Sequence, residues 1–260
     1  MDSNGLALVT GASSGIGRSL ARQLVGHGYD VVIAAEDAEL HEAAAELRRT
    51  GREVVPVQVD LTSPDGVREL WHAVLDRQRP LAAAVLNAGV GVGGPLAGTP
   101  LERNLEIVDL NVRSTVHLAK LAVDHMLAHE GGRILVTSSI AAVVPGPFQA
   151  AYAASKAFVH SFAEGIRHEL KGTGVTVTSL MPGPTDTEFF ERADMLDTPI
   201  GRGPKDDPED VARDGFEAMM TGKPHVRAGS LRNKVIAEVG THLPDRIGSR
   251  VMAVQTKPRS

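Results

Sequence analysis

Three side chains that could exchange a proton with a substrate stand close together in the middle of the chain. Tyr152 and Lys156 are four residues apart in an alanine-rich run, 150–171, which predicts a helix. Residues four apart lie on one face of a helix, so the phenol and the ammonium group are neighbours there. Ser139 ends an apolar, β-branched run, 133–139, which predicts a buried strand. A strand end opposite that helix face would bring the three groups into one small proton-transfer site.

Each of these groups has a role in such a transfer. A free tyrosine has a pKa of about 10 and is a poor base at neutral pH, but a nearby cation favours the phenolate. We therefore expect Lys156 to lower the pKa of Tyr152, and Ser139 to hydrogen-bond a substrate oxygen. No side chain accepts a hydride, so a redox reaction here needs a cofactor. The Tyr-x-x-x-Lys pair alone is equally typical of a packed ring beside a solvated lysine.

A glycine-rich turn near the N-terminus predicts where such a cofactor would bind. A short apolar run, 6–10, predicts a strand, and 18–27 predicts a helix; the segment between them contains Gly11, Gly15 and Gly17. Glycines permit a tight turn and close backbone approach, and a helix N-terminus offers free N–H groups to an anion. The spacing is G-x-x-x-G-x-G rather than G-x-G-x-x-G, and a simple tight turn would also explain it.

The same turn matches a second motif. Gly11, Ser13 and Gly15 satisfy G-x-S-x-G, the nucleophile elbow of hydrolases, in the required strand–turn–helix context. That fold places an oxyanion-hole loop and several strands before the elbow, whereas only ten residues precede this one. The hydrolase interpretation is therefore the weaker one, and it predicts an esterase that Ser13→Ala would abolish.

Alternating strands and helices must position these motifs. Further strands are predicted over 30–35, 53–59, 81–86 and 175–181, with helices over 38–49, 63–78 and 100–129. Such alternation implies right-handed crossovers and a parallel sheet. We predict an α/β fold, a Rossmann-type doubly wound parallel sheet in a single domain.

Polar residues follow several of these strands. Glu36 ends the second strand, 19 positions beyond Gly17, near where a dinucleotide fold places its ribose-binding carboxylate. A surface glutamate opening the next helix is the simpler explanation of the same residue. Asp60-Leu61 follows the third strand and Asn87-Ala88-Gly89 the fourth. The carboxyl ends of parallel strands are where such sheets bind ligands.

The predicted helix 100–129 contains three residues that need an explanation. Asn111 lies amid apolar spacing, and a buried asparagine needs hydrogen-bond partners, so it either bends the helix or belongs to the site. His125 and His129 are four apart, but no third ligand stands near them in the sequence. We therefore predict a solvated helix end and no metal site.

Composition excludes several classes of protein. The chain has 260 residues, 42% hydrophobic and 23% charged, which suits one α/β domain. A formal net charge of −5 argues against a nucleic-acid partner, and the lack of cysteine rules out disulfides and thiol catalysis. We see no basic, apolar leader and no apolar run long enough to span a membrane, so the expected location is cytoplasmic.

The C-terminal third divides into a flap and a basic tail. Residues 188–207 are rich in Gly, Pro and charge, as a mobile flap over a site would be. Residues 223–260 carry eight Lys and Arg against two Asp and Glu, with apolar residues at helical spacing on both sides of Pro244. We expect a catalytic domain over 1–222 and two short amphipathic helices over 223–260. These helices would pack on the core or a second subunit, cover an apolar substrate, or contact a membrane surface.

Taken together, these motifs resemble those of the short-chain dehydrogenase/reductase family, over about 6–187. The glycine turn looks like its cofactor motif, and Asn87-Ala88-Gly89 matches its Asn-Asn-Ala-Gly motif except that Leu86 replaces the first asparagine. The resemblance implies a catalytic tetrad of Asn111, Ser139, Tyr152 and Lys156. With the strand-end argument, it predicts cofactor contacts by Gly11, Ser13, Ser14, Gly15, Ile16, Gly17, Glu36, Asp60, Leu61, Asn87, Ala88, Gly89, Tyr152, Lys156, Pro182, Gly183, Thr185 and Thr187.

The resemblance also implies a reaction. Tyr152 would exchange the proton at the substrate oxygen, Lys156 would lower its pKa and hold the nicotinamide ribose, Ser139 would orient the substrate, and Asn111 would anchor a water relay. The implied activity is NAD(P)-dependent interconversion of an alcohol and a ketone or aldehyde by a homo-oligomer, a dimer or tetramer. The alternative is a non-catalytic NAD(P)-binding sensor or interaction protein, but such a protein has no chemical need for the tetrad.

NAD is the expected cofactor in preference to NADP. Relatives that prefer NADP commonly carry basic residues where this chain has Glu36 and Ser14, and a 2′-phosphate would meet the like charge of Glu36. Against NAD, Ala35 stands where many NAD-preferring members have aspartate, and Arg18 could turn toward a phosphate.

The expected substrate is a small alcohol or carbonyl compound, whose class the sequence does not identify. An apolar pocket, or equally well a packed loop, is suggested by residues of the loop 141–149 and of the flap: Val143, Val144, Phe148, Phe189 and Phe190.

Overall fold

Strands and helices alternate along the chain. The computed structural model describes residues 4–129, 131–230 and 244–258. The strands are β1 (Leu6–Thr10), β2 (Asp30–Ala35), β3 (Val54–Gln58), β4 (Leu81–Leu86), β5 (Gly132–Thr137), β6 (Val175–Pro182) and β7 (His225–Ala228). The helices of the described residues are α1 (Gly15–Gly26), α2 (Glu39–Leu47), α3 (Pro64–Leu75), α4 (Leu101–Ile107), α5 (Thr115–Ala128), α6 (Ala150–Glu169), α7 (Phe189–Arg192), α8 (Pro199–Arg202), α9 (Pro208–Met220) and α10 (Asp245–Thr256).

The strands form one parallel sheet in the order β3-β2-β1-β4-β5-β6-β7. The chain runs from β1 outward to β3, then returns to the centre and runs outward through β4 to β7. The strand order therefore reverses between β1 and β4, and a crevice opens there at the carboxyl ends of the strands. The predicted doubly wound α/β fold is confirmed.

Hydrophobic side chains cover both faces of the sheet. In β1, Leu6 and Leu8 point toward α3, α5 and α6, whereas Ala7 and Val9 point toward α1, α2 and α9. All four are at most 1% exposed, because alternate residues of a strand face opposite sides and each side has a helical layer. This two-sided burial holds the strand ends, and the polar residues that follow them, in fixed positions.

The predicted helix over 100–129 is helical almost throughout, but a π-helical turn interrupts its α-helical hydrogen bonding. α4 ends at Ile107, a π-helical turn spans Val108–Ser114, and α5 begins at Thr115. A π turn adds a residue to the helical repeat and often marks a functional site. Asn111, 1% exposed, lies within it.

The end of the chain contains a strand that the sequence pattern did not indicate. β7 pairs with β6 and extends the sheet just after the predicted boundary at 222. The first predicted tail helix, on the N-terminal side of Pro244, falls in 231–243, outside the described residues. The second is α10. Within the described residues, no helix has the length and apolarity needed to cross a membrane.

Candidate active site

A cavity of about 720 Å³ opens at the carboxyl ends of the strands. It is lined by Ser139 and by every residue that the sequence predicted as a cofactor contact: Gly11, Ser13, Ser14, Gly15, Ile16, Gly17, Glu36, Asp60, Leu61, Asn87, Ala88, Gly89, Tyr152, Lys156, Pro182, Gly183, Thr185 and Thr187. Asn111 does not line the cavity. The fold thus brings residues from both ends of the described chain to one volume.

The glycine turn forms a cradle between β1 and α1. Gly11 and Gly15 have positive φ angles of 65° and 53°, which side chains disfavour. A Cβ on Gly17 would lie 1.9 Å from the carbonyl oxygen of Gly11. The first turn of α1 has no acidic residue, and no side chain caps it. The bare N–H groups and the close backbone approach fit the pyrophosphate of a dinucleotide.

Two threonines connect the strand ends that form the floor. Thr10 Oγ1 accepts hydrogen bonds from the backbone N–H groups of Asn87 and Ala88, at 2.9 and 3.0 Å. Asn87 Nδ2 donates to the Thr10 carbonyl oxygen at 3.1 Å, and Thr137 Oγ1 donates to Asn87 Oδ1 at 3.0 Å. These bonds join β1, β4 and β5. Neither threonine was predicted to be a site residue: Thr10 ends the predicted strand 6–10, and Thr137 lies two residues before the end of the predicted strand 133–139.

Tyr152, Lys156 and Ser139 meet at the other end of the cavity. Lys156 Nζ lies 5.9 Å from the centre of the Tyr152 ring and donates to the carbonyl oxygen of Thr137 at 2.8 Å. Ser139 Oγ accepts from the N–H of Ala141 at 3.1 Å. Ser138, which the sequence analysis did not single out, donates to the Lys156 carbonyl oxygen at 2.8 Å and ties α6 to the end of β5.

Burial controls the protonation of this pair. Loss of solvent raises the pKa of Tyr152 to about 12, and a hydrogen bond with Ser139 acts in the opposite direction. Loss of solvent also lowers the pKa of Lys156 from 10.5 to about 8. Lys156 was expected to lower the pKa of Tyr152, but in this structure that pKa is raised, because loss of solvent is the largest influence on it. The Tyr152 phenol is therefore protonated at neutral pH.

Asn111 lies behind Tyr152 and Lys156 rather than in the cavity. Its Oδ1 accepts from the N–H of Val90 at 2.9 Å, and its Nδ2 donates to the Val90 carbonyl oxygen and to Ser155 Oγ, each at 2.9 Å. Ser155 Oγ in turn donates to the Tyr152 carbonyl oxygen at 2.7 Å. A Cβ on Gly89 would lie 3.1 Å from both Asn111 Oδ1 and Lys156 Nζ. Asn111 therefore joins the loop after β4 to the first turn of α6.

Acidic residues gather at the end of β2. Glu36 is exposed and lines the cavity. Burial and the carboxylates of Asp60 and Glu106 raise its pKa, and Arg192 lowers it. Asp37, which the sequence analysis did not consider as a contact, also lines the cavity. Ser13 Oγ donates to its Oδ2 at 2.9 Å, so the glycine turn is fixed to the end of β2.

Apolar residues form the other wall. Val143, Val144, Phe189 and Phe190 line the cavity, as predicted, and the Phe189 ring lies 5.0 Å from the Tyr152 ring. Phe148 does not line it, but borders a separate small pocket. Gly248, Val251, Met252 and Gln255 of α10 also line the cavity. Thr256 Oγ1 donates to the Pro147 carbonyl oxygen at 2.7 Å, which fixes the end of α10 beside the loop before α6.

The geometry disfavours two other interpretations. Ser13 is 4% exposed and bonds a carboxylate; among the described contacts it has no histidine base of the kind a hydrolase elbow requires. The rings of His125 and His129 stack at 4.2 Å, and the described residues contain no cluster of three groups that could hold a metal ion.

Comparison with known proteins gives consistent matches. A family model described as short chain dehydrogenase matches residues 5–195. The protein 1-deoxy-11-beta-hydroxypentalenate dehydrogenase of Streptomyces exfoliatus is 39% identical over 221 residues, which cover 82% of this chain and 78% of that protein.

Solved structures match along most of the chain. A short chain dehydrogenase/reductase from Burkholderia phymatum in complex with NAD has a TM-score of 0.83 and 25% identity, and the match covers 99% of this chain and 97% of that one. A short-chain dehydrogenase from Sphingobium yanoikuyae in complex with NADPH has a TM-score of 0.80 and 26% identity, covering 86% and 87%. Two similar proteins thus carry different nicotinamide cofactors.

Proposed function

The chain belongs to the short-chain dehydrogenase family and is an NAD(P)-dependent oxidoreductase that interconverts an alcohol and a carbonyl compound; we propose that Tyr152 exchanges the proton in this reaction. The observation that carries the proposal is the half-buried Tyr152, with its pKa raised by loss of solvent, beside Lys156 and Ser139 in the cavity that the glycine cradle also lines. The cofactor, when bound, supplies or accepts the hydride.

The chain's own residues would hold the cofactor along the cavity. The N–H groups of the glycine turn would bind the pyrophosphate, Glu36 and Asp60-Leu61 the adenosine half, and Asn87 to Gly89 the central part. Lys156, with Pro182 to Thr187 after β6, would hold the nicotinamide half. The glycine cradle carries this assignment, because a side chain on Gly17 would collide with its own loop.

Tyr152 would donate its proton to the substrate oxygen in the reducing direction. Its pKa of about 12 keeps the phenol protonated at neutral pH, and Ser139 would hold the same oxygen by a hydrogen bond. Lys156 would return a proton toward Tyr152, because a buried ammonium group with a pKa of about 8 releases its proton readily. Asn111 would act as a positioning residue, through Ser155 and the first turn of α6.

Replacing Tyr152 by Phe tests this role. We expect Tyr152→Phe to lower kcat about 10²- to 10⁴-fold, the usual contribution of a general acid, and to leave the Kd for cofactor within about threefold. NAD(P)H absorbance with a panel of alcohols and ketones would measure the first quantity and calorimetry the second. Unchanged turnover would remove Tyr152 from the mechanism. Cofactor binding without turnover by the wild type on any panel member would favour a cofactor-binding sensor.

We propose NAD as the preferred cofactor, on the charge at the end of β2. A 2′-phosphate beside Glu36 would meet a repulsion of about 1–4 kcal/mol at a separation of about 4 Å, whereas a ribose hydroxyl can donate to that carboxylate. Glu36→Arg should therefore improve the Kd for NADP relative to NAD at least tenfold. An unchanged ratio would mean that another residue controls the preference.

The substrate side supports an apolar alcohol or carbonyl compound. Aromatic and aliphatic side chains of the flap, the loop 141–149 and α10 form that wall. We propose that the extension 223–260 belongs to the same domain as 1–222, because β7 extends the sheet and α10 lines the cavity, with α10 as part of the substrate cover. We also propose self-association, since Leu101, Leu105 and Val108 expose 65%, 50% and 46% of their area along one side of α4 and the following turn.

A further inference from the structure

Arg192, on the flap helix α7, stands among the carboxylates at the end of β2. Its Nη2 lies 2.6 Å from Glu188 Oε2 and 3.8 Å from both Asp37 Oδ2 and Glu39 Oε2. The side chain is 48% exposed and lines the cavity together with Ser14, Glu36 and Asp37. Of the described lysines and arginines, only Arg192 and Lys156 line the cavity, and Lys156 belongs to the catalytic end.

Arg18, which the sequence suggested as a phosphate-binding cation, is already bound elsewhere. Its Nε and Nη2 donate to Glu46 Oε2 at 3.1 and 2.5 Å, and its Nη2 lies 3.7 Å from Glu42. Its side chain is only 21% exposed and does not line the cavity. Turning it toward a phosphate would break two charged hydrogen bonds and leave Glu46 without them. Arg18 is therefore a structural residue of the α1–α2 contact.

Arg192 has the opposite properties. One of its three carboxylate contacts is a hydrogen bond to Glu188, the residue before α7. The other two are 3.8 Å approaches to Glu39, whose side chain is 60% exposed, and to Asp37, whose side chain is 23% exposed. Exposed ion pairs contribute little to stability, so the guanidinium can exchange partners at small cost. Its planar fork of donors can also bind a phosphate through two hydrogen bonds at once.

We propose that Arg192 is the 2′-phosphate-binding residue of this site: the guanidinium exchanges its carboxylate partners for the 2′-phosphate of NADP, so that the enzyme accepts NADP despite Glu36. The proposal rests on the proposed function, because it assumes a nicotinamide dinucleotide whose adenosine half lies at the end of β2. The flap would then contribute to cofactor selection as well as to the substrate wall.

Arg192→Gln tests the proposal by calorimetry on the full-length protein. We expect the Kd for NADP⁺ to rise about 10- to 100-fold, the effect of losing charge-assisted hydrogen bonds, and the Kd for NAD⁺ to change less than about threefold. Adenosine 2′,5′-bisphosphate and 5′-AMP, as fragments that differ at the 2′ position, should show the same contrast. Arg202→Gln is the matched control, since Arg202 lies on the same flap but does not line the cavity; it should change neither Kd.

Glu188→Gln is a second test of the proposal, because it removes the negative charge of the carboxylate nearest to Arg192. NADP⁺ affinity should rise several-fold in Glu188→Gln, and most of that gain should vanish in the double variant with Arg192→Gln. Equal losses for both dinucleotides in Arg192→Gln, or no loss for either, would overturn the proposal while leaving the oxidoreductase assignment intact. A wild-type protein that binds neither dinucleotide would overturn both.

Discussion

Tyr152 and Lys156 show how the surroundings of a residue change its chemistry. The sequence places a phenol and an ammonium group one helical turn apart, which by itself suggests that the charge of the lysine lowers the tyrosine pKa. In the structure Lys156 is buried and Tyr152 is half-buried, and loss of solvent raises the pKa of Tyr152 while lowering that of Lys156. The residue types and their spacing are evident from the sequence. The balance between charge and desolvation, which determines the two pKa values, depends on neighbours such as Thr137 and Phe189.

The buried lysine makes stability depend on pH. Between pH 8 and 10.5 the unfolded chain binds more protons at Lys156 than the folded chain does, so the free energy of unfolding rises with pH there, by up to about 3 kcal/mol. Below pH 8 both states are protonated and this gain is absent. Measurements should stay below pH 10, which is about the pKa of Tyr152 in the unfolded chain. Above that pH, the raised pKa of Tyr152 in the fold makes the free energy of unfolding fall as pH rises.

Lys156→Met should remove this dependence. We expect the unfolding free energy of the wild type to rise steadily, relative to that of Lys156→Met, from pH 7.5 to 9.5. Urea denaturation without cofactor would measure both. The control is Lys171→Met, since Lys171 is exposed just beyond α6. A difference that stays constant across this range would mean that Lys156 keeps an ordinary pKa in the fold.

At the scale of elements, the glycine turn and α1 act as one unit. Gly17 lies in the first turn of α1, where a Cβ would meet the Gly11 carbonyl oxygen at 1.9 Å and Asn87 Nδ2 at 2.6 Å. Gly26 ends the same helix, and a Cβ at that position would have no neighbour within 4 Å. The two glycines therefore offer a matched pair.

Gly17→Ala should damage both the fold and the cofactor site. We expect a loss of about 1–3 kcal/mol in unfolding free energy from the forced backbone shift, and at least a tenfold rise in cofactor Kd. Gly26→Ala should change stability by no more than about 1 kcal/mol and leave cofactor binding unchanged. Thermal unfolding and calorimetry would give both quantities. Normal cofactor affinity in Gly17→Ala would show that the turn does not hold the dinucleotide.

The elements that the sequence predicted well are those with strong local patterns. β1, β2 and β4 are short apolar runs bounded by turn residues, and their predicted and observed bounds agree. The π-helical turn around Asn111 could not be predicted, because its extra residue is compensated by tertiary bonds to Val90 and Ser155. β7 has only four residues and no distinctive pattern, so its pairing with β6 is visible only in the fold.

At the scale of the whole molecule, the sheet and the segments outside it have different roles in the site. The two-sided core fixes the strand ends, while the flap and α10, which are outside the sheet, form part of the cavity wall. The sequence predicted most of the site residues, and it offered the helix after Pro244, now α10, as one possible substrate cover. It did not indicate Asp37 or Arg192 as site residues, because their positions depend on contacts between segments distant in the chain. α10 also exposes Ile247, Val251 and Val254 by 49%, 52% and 70%.

Self-association through α4 can be tested at this scale. We expect the wild type to sediment as a dimer or tetramer, and Leu105→Asp to lower its association constant at least tenfold, because a carboxylate would be buried in an apolar contact. Leu75→Asp is the control, since Leu75 is similarly exposed, at 42%, at the end of α3. Sedimentation velocity at several concentrations would measure the change. Equal association of all three proteins would exclude this face.

The most direct test of the whole account is a calorimetric titration of the purified protein with NADH and NADPH in parallel. The account predicts one site per chain for each, with NADH bound more tightly because of the carboxylate of Glu36. Tighter binding of NADPH would contradict the role given to Glu36 but retain the cavity as the cofactor site. Binding of neither would contradict the assignment of the cavity and the mechanism built on Tyr152.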